Sequence, residues 1–203
     1  MLGKICVFFL LLTGFTCAPT SPQSTTIQAG APLTDPRDQQ VYPTIQVGAQ
    51  RWLASDLKFE TPSSFCYNNT PSHCQQYGRL YNFNEAKKAC PPGWKLPDER
   101  EWQALERALG MPPTQADSIR IWRGQQEGRR MIEELNIPFA GIAKLKGKNF
   151  NSLGKIARYW VDQPGPAGPN FVLYRMLMRG EARIYSDQIA RVHLCCARCI
   201  EKQ

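Results

Sequence analysis

The chain is short of acid, of histidine and of long apolar runs. Only 17 Asp and Glu face 25 Lys and Arg across 203 residues, a formal net charge of +8, so anionic partners are favoured over cationic ones. Two histidines occur, His73 and His193, and neither falls in a local nucleophile signature. There is no glycine-rich phosphate loop and no metal-hydrolase helix motif. The common catalytic classes that a sequence can announce are therefore missing, and neither an enzymatic activity nor a cofactor is expected. The longest apolar run, residues 5–12, is too short to span a bilayer.

That run does suit the core of a signal peptide, because Lys4 precedes it and a short polar stretch follows. Residues 1–16 are read as the signal. Cys17 comes next, and the segment before it resembles a bacterial lipoprotein signal, in which the cysteine is acylated and becomes the first residue. Acyl chains on Cys17 would hold the protein on a membrane without spanning it. Residues 18–37 are mainly Ala, Pro, Thr, Ser, Gln and Gly, a composition that buries too little to offset its ordering entropy. The interval 17–37 is read as an anchor plus flexible tether, with one folded domain over 38–203.

Within that domain, Cys90-Pro-Pro-Gly-Trp-Lys-Leu-Pro-Asp-Glu-Arg-Glu-Trp102 combines a turn, a cysteine and a helix start. Asp98 and Glu101 form a capping box, each side chain satisfying a backbone N–H left without a partner at the helix start. Trp102, Leu105 and Leu109 then fall on one stripe, expected to be buried, and Gly110, Pro112 and Pro113 end the helix. Alternation over 41–54 predicts a hairpin turning at Gly48-Ala49. Asn82 and Glu85 cap a short helix leading to Cys90, and a further helix is expected at 127–135. Residues 66–74 read as a polar loop closed by two cysteines, and 162–170 as a Pro/Gly loop. Closing strands are expected at 171–178, at Ile184 and over 189–200. Strands, then helices, then strands predict an α+β domain with an antiparallel sheet and two or more short helices.

Much of the excess charge lies in residues 119–158, with nine Lys and Arg against three Asp and Glu. Aromatics are interleaved with it. Trp122, Arg123, Tyr159 and Trp160 are the candidate ligand surface, for a glycan or another surface protein, although most of these aromatics also suit a core. Nucleic acid is not an expected partner for an exported chain.

A set of motifs in fixed order points to a family. Val47-Gly-Ala-Gln-Arg-Trp52 precedes Leu57; Cys66 and Cys74 lead into Tyr77-Gly-Arg-Leu-Tyr81-Asn82; then come Ala89-Cys-Pro-Pro-Gly-Trp-Lys-Leu-Pro97 with Glu101-Trp102, Ile137-Pro-Phe-Ala-Gly141, Tyr159-Trp160 and Arg198-Cys-Ile200. Over about residues 35–200 the chain resembles the Fibrobacter succinogenes major paralogous domain. The resemblance implies an exported, often lipoprotein-borne domain with a core like that of C-type lectins, and it brings no activity. It also implies pairing of Cys66 with Cys74 and of Cys90 with Cys199. The chain departs from the family in having Trp160-Val-Asp-Gln163 in place of Trp-Ser-Ser-Thr, and in carrying Cys195 and Cys196 as additions.

Those additions leave two further readings. His193, Cys195, Cys196 and Cys199 have soft-metal spacing, but an oxidising compartment favours sulfur pairing, so an adjacent Cys195–Cys196 bond or an intermolecular bridge is expected and no metal site. Trp160-Val-Asp162 and Gly168-Pro-Asn170 resemble pieces of the lectin calcium motifs in reversed order and without the key glutamate. The functional expectation is a lipid-anchored, non-catalytic binding or adhesion module of the cell envelope, on the outer membrane or surface, or else periplasmic or secreted. A structural envelope protein without a dedicated ligand is the first alternative. A thiol enzyme resembling the formylglycine-generating enzymes is the second, suggested by the run at 96–102.

Overall fold

A computed structural model describes residues 27–144 and 146–203. The signal, Cys17 and the start of the tether lie outside the described residues. Two largely antiparallel sheets form the frame. The first has the order β1 (Ile27–Thr34), β2 (Val41–Val47), β3 (Gln50–Leu53), β14 (Ile200–Glu201) and β6 (Trp94–Lys95). The second has seven strands: β4 (Ser64–Phe65), β5 (Leu80–Tyr81), β13 (Cys195–Cys196), β10 (Ile156–Gly165), β11 (Gly168–Met178), β12 (Ile184–Ala190) and β7 (Ile121–Arg123). Its only parallel pairing among the described residues joins β10 to β13 at Tyr159 and Cys196. A small hairpin, β8 (Ile142–Lys144) with β9 (Lys148–Asn151), forms a separate two-stranded sheet tied to Leu194 by a bridge at Ala143. Five short helices complete an α+β domain: α1 (Pro71–Tyr77), α2 (Phe83–Ala89), α3 (Glu99–Ala108), α4 (Pro113–Ala116) and α5 (Glu127–Glu134).

The Cys90 corner has the role its sequence suggests. Trp94 N–H closes the turn on Pro91 O at 2.9 Å, and Lys202 N–H donates to Gly93 O at 2.9 Å, so the turn and the last strand hold each other. The Cys90–Cys199 bond spans 109 residues and joins the same two segments. At the start of α3, Asp98 accepts from Glu101 N–H at 3.0 Å and Glu101 accepts from Asp98 N–H at 2.8 Å, completing the capping box. The Trp102, Leu105 and Leu109 stripe is buried, with Trp102 against Trp52 and Tyr159. Asn82 likewise caps α2 by accepting from Glu85 N–H, and the 41–54 hairpin forms as β2 and β3.

Strand alternation gives the large sheet two faces. Ala157, Tyr159, Val161, Leu173, Leu177, Ile184 and Cys196 point to the core that contains α3 and α5 residues. Tyr81, Trp160, Val172 and Cys195 point the other way, into a second core closed by Phe83, Ala86 and Ala89 of α2 with Tyr42, Leu53 and the Cys90–Cys199 bridge.

Four expectations are corrected. The tether over 17–37 is too long, because Ile27–Thr34 pairs with β2 and Asp35 is fully buried, bonded to Arg37, which also reaches Ala89 O at 2.7 Å. One of its small residues has a packing reason: a Cβ on Gly30 would sit 2.4 Å from Thr44 Oγ1. Composition reads such a strand as linker because backbone pairing holds most of it, and only Ile27 and Leu33 pack against the cores. The Pro/Gly loop at 162–170 is the tip of the long β10–β11 hairpin, where register shifts around Pro164 absorb the missing N–H and Gln188 Oε1 accepts from Ala167 N–H at 2.9 Å. The polar loop at 66–74 contains a 3-10 turn, Tyr67–Asn69, and the first half of α1, with Pro71 at the helix start where its lack of N–H costs nothing. The expected strand at 189–200 is also broken, into the end of β12, β13 and the start of β14.

Candidate functional site

The four residues of the candidate ligand surface do not form one. Trp122 is half-buried, but Arg123 is 1% exposed and Tyr159 and Trp160 are not exposed at all. The cause is the two-residue period of β7 and β10. Arg123, one position on from Trp122, turns inward and pairs with Glu106 at 2.7 Å; Tyr159 Oη donates to Asp56 at 2.9 Å; Trp160 Nε1 donates to Tyr81 O at 2.8 Å from the opposite face. Arg123 belongs to a buried charge network completed by Arg175, which binds Glu106 at 2.6 Å and Glu99 at 2.8 Å. Burial raises the Glu106 carboxyl, and the guanidiniums of Arg175 and Arg123 pull against it. A network so enclosed fixes α3 against the sheet.

The sulfur chemistry divides in the same way. Cys66–Cys74 and Cys90–Cys199 are formed as the resemblance implied. Cys195 and Cys196 are free thiols, both fully buried, and neither an adjacent bond nor an intermolecular bridge suits them. Neighbours on a strand point to opposite faces, consecutive Cα atoms are only about 3.8 Å apart, and a disulfide usually needs 4.4–6.8 Å. Burial pushes the Cys195 thiol up to about 12 and the Cys196 thiol well above its ordinary value; Asp56, which bonds Cys196, raises the latter further. Both are held as protonated thiols. Among the described residues, no group of three or more His, Cys, Asp and Glu side chains is placed to hold a metal ion.

An open concavity lies instead where four segments meet. A groove of about 300 Å³ is lined by Ser63 and Phe65 beside β4, Asn82 and Asn84 of the α2 start, Lys146 in the β8–β9 turn, and Arg191, Val192 and Leu194 after β12. The turn reaches Phe65 because residue 147 is glycine: at φ +69°, a Cβ there would meet the Phe65 ring at 2.4 Å. Asn69 Nδ2 donates to Gly147 O at 3.4 Å, and Tyr67 packs at a tilt against Phe150 with ring centroids 5.3 Å apart, so the disulfide-closed segment braces the hairpin. Opposite, Arg191 O accepts from Phe83 N–H at 3.0 Å while its guanidinium lies 5.2 Å over the Phe83 ring. Arg191 Nε is buried without a hydrogen-bond partner. Asn82 already uses Oδ1 as the cap of α2, so it offers its NH2. Val192 is 53% exposed. The groove thus presents two cations, amide and hydroxyl groups, and apolar surface for contact. Of its residues only Lys146 belongs to the basic segment; Arg191 and Phe65 carry no sequence signal that separates them from ordinary surface and core positions.

The match to a family model is extensive. It covers residues 39–200 and is described as the Fibrobacter succinogenes major domain. The chain belongs to this family. No curated protein and no solved structure matches it. Both disulfides, the Cys90 corner and every lining residue of the groove fall inside the matched span of the Fibrobacter succinogenes major domain.

Proposed function

We propose that this Fibrobacter succinogenes major domain is a non-catalytic binding module of the bacterial cell envelope, exported and held by acylated Cys17, with a lectin-like core. The groove at the β8–β9 turn is its binding site, and an anionic glycan or acidic surface protein is its partner. The observation that carries this is the lining itself. Lys146 and Arg191 flank amides and the exposed Val192 in one open concavity, a set of groups that recognises anions and apolar contours. Two disulfides support an oxidising compartment. Attachment is by the lipid on Cys17; among the described residues no helix is long and apolar enough to cross a membrane.

The test is binding of the purified, non-reduced protein to arrays of envelope glycans and surface proteins. K146E with R191E should abolish capture while circular dichroism shows the fold retained, since Lys146 is exposed and Arg191 half-buried at the rim of the groove. Capture that survives the charge reversal, or that no array member gives above a charge-matched control protein, would contradict the reading. In cells, C17S should move the protein from the membrane to the soluble fraction.

A further inference from the structure

The second face of the large sheet is covered only at one end. Where Trp160, Val172 and Ile189 lie, α2 and the first sheet close over it. At the other end four side chains stand in one row across four strands, fixed by the pairing register. Trp122 of β7 is opposite Tyr185 of β12, Tyr185 is opposite Met176 of β11, and Met176 is opposite Arg158 of β10. All four are half-buried, and Trp122, Tyr185 and Met176 belong to neither core. At about 4.8 Å per strand the row is about 14 Å long.

Its chemistry is graded. At one end Trp122 and Tyr185 form a tilted pair with centroids 5.3 Å apart. Around them the charges are matched: Arg183 lies 5.8 Å over Trp122 and pairs with Glu181 at 2.9 Å, and Arg120 pairs with Asp187 at 3.5 Å. At the far end Arg158 has no carboxylate partner among the described residues. Its guanidinium lies 4.5 Å over Tyr174, its Nη2 touches Met176 Sδ at 3.9 Å, and its Nε is buried without a partner. The field there is positive, since Arg158 and Lys144 both act on the half-buried His193, whose proton affinity is lowered chiefly by burial and then by these cations. An aromatic step leading to an unpaired cation fits a ligand with flat C–H faces, many hydroxyls and a carboxylate. A uronic acid chain has all three.

We infer that this open end of the sheet is a second binding site, a platform for an acidic oligosaccharide whose sugar rings stack on Trp122 and Tyr185 and whose carboxylate meets Arg158. The site is independent of the groove at the β8–β9 turn. It also has its own reporter. The chain has five tryptophans, and Trp52, Trp94, Trp102 and Trp160 are all buried, so accessible tryptophan fluorescence comes from Trp122.

The experiment titrates the non-reduced protein with galacturonate and mannuronate oligomers, following acrylamide quenching and calorimetry. Methyl-esterified galacturonate is the uncharged control and polyglutamate the non-sugar acid. An oligouronate should shield Trp122 from quencher. Affinity should drop on the order of tenfold in W122A and in Y185A, the loss of one stacked ring. R158M, which keeps an apolar stem, should remove the preference for acid over ester, and K146E with R191E should leave the shielding intact. Shielding by polyglutamate equal to that by the sugars, shielding that grows with protein concentration alone, or no shielding by either oligouronate would each overturn the inference. Calorimetric affinity unchanged in both W122A and Y185A would do the same.

Discussion

One face of one sheet has two fates, and the contrast lies between its ends. At the covered end Trp160 packs edge-on to Phe83 with centroids 5.6 Å apart and donates its indole N–H to Tyr81 O. At the open end Trp122 packs on Tyr185 and remains half-buried. Both are tryptophans on the same face of one sheet, with β11 and β12 between their strands, so neither residue type nor strand geometry decides burial. What decides it is whether another element crosses above: α2 and the Cys90–Cys199 bridge do so at one end. Stability should therefore concentrate at the covered end and recognition at the open one.

The largest effect should come from cutting the bridge. C90S with C199S releases a closure of 109 residues, expected to cost about 4–5 kcal/mol by chain entropy and measurable by denaturant unfolding. W160A should follow at about 3–5 kcal/mol, the usual range for a buried aromatic truncated to alanine. Equal losses from W122A would break the comparison. Instead W122A and Y185A should each cost only about 0.5–1.5 kcal/mol, the worth of one half-buried aromatic pair.

A pH dependence sharpens the same contrast. The Cys195 and Cys196 thiols are raised by burial, so the folded chain holds these protons more tightly than the unfolded chain. Their contribution is fully present below the unfolded thiol range and is lost as pH rises through it toward the folded values. Stability should thus decline above about pH 8.5, where an unfolded cysteine ionises. C195A and C196A should each flatten that slope. Neither thiol should react with iodoacetamide in the native protein at mildly alkaline pH, and both should react once it is unfolded.

Local signals were legible in the sequence where one segment satisfies itself. The α3 capping box and the Trp102, Leu105 and Leu109 stripe are complete within a dozen residues, and they fold as their spacing predicts. The β2–β3 hairpin is legible for the same reason. The strand β1 was not, because Ala29 and Gly30 have little to bury and are held by backbone pairing with β2. Arg123 and Trp160 were misplaced because a count of basic and aromatic residues ignores alternation, which sends Trp122 and Arg123 to opposite faces. The row from Trp122 to Arg158 was invisible for a deeper reason. Two of its pairings belong to consecutive hairpins, but the one that brings Trp122 opposite Tyr185 joins strands more than fifty residues apart in sequence, and no local pattern in Tyr185 or Met176 announces it.

The most direct test is acrylamide quenching of the ligand-free, non-reduced protein beside its W122F variant. If the far end of the sheet is open, nearly all quenchable tryptophan emission should vanish with that one substitution, leaving a shielded signal from the four buried indoles. Quenching that persists undiminished in W122F, or wild-type emission already inaccessible to acrylamide, would contradict the account.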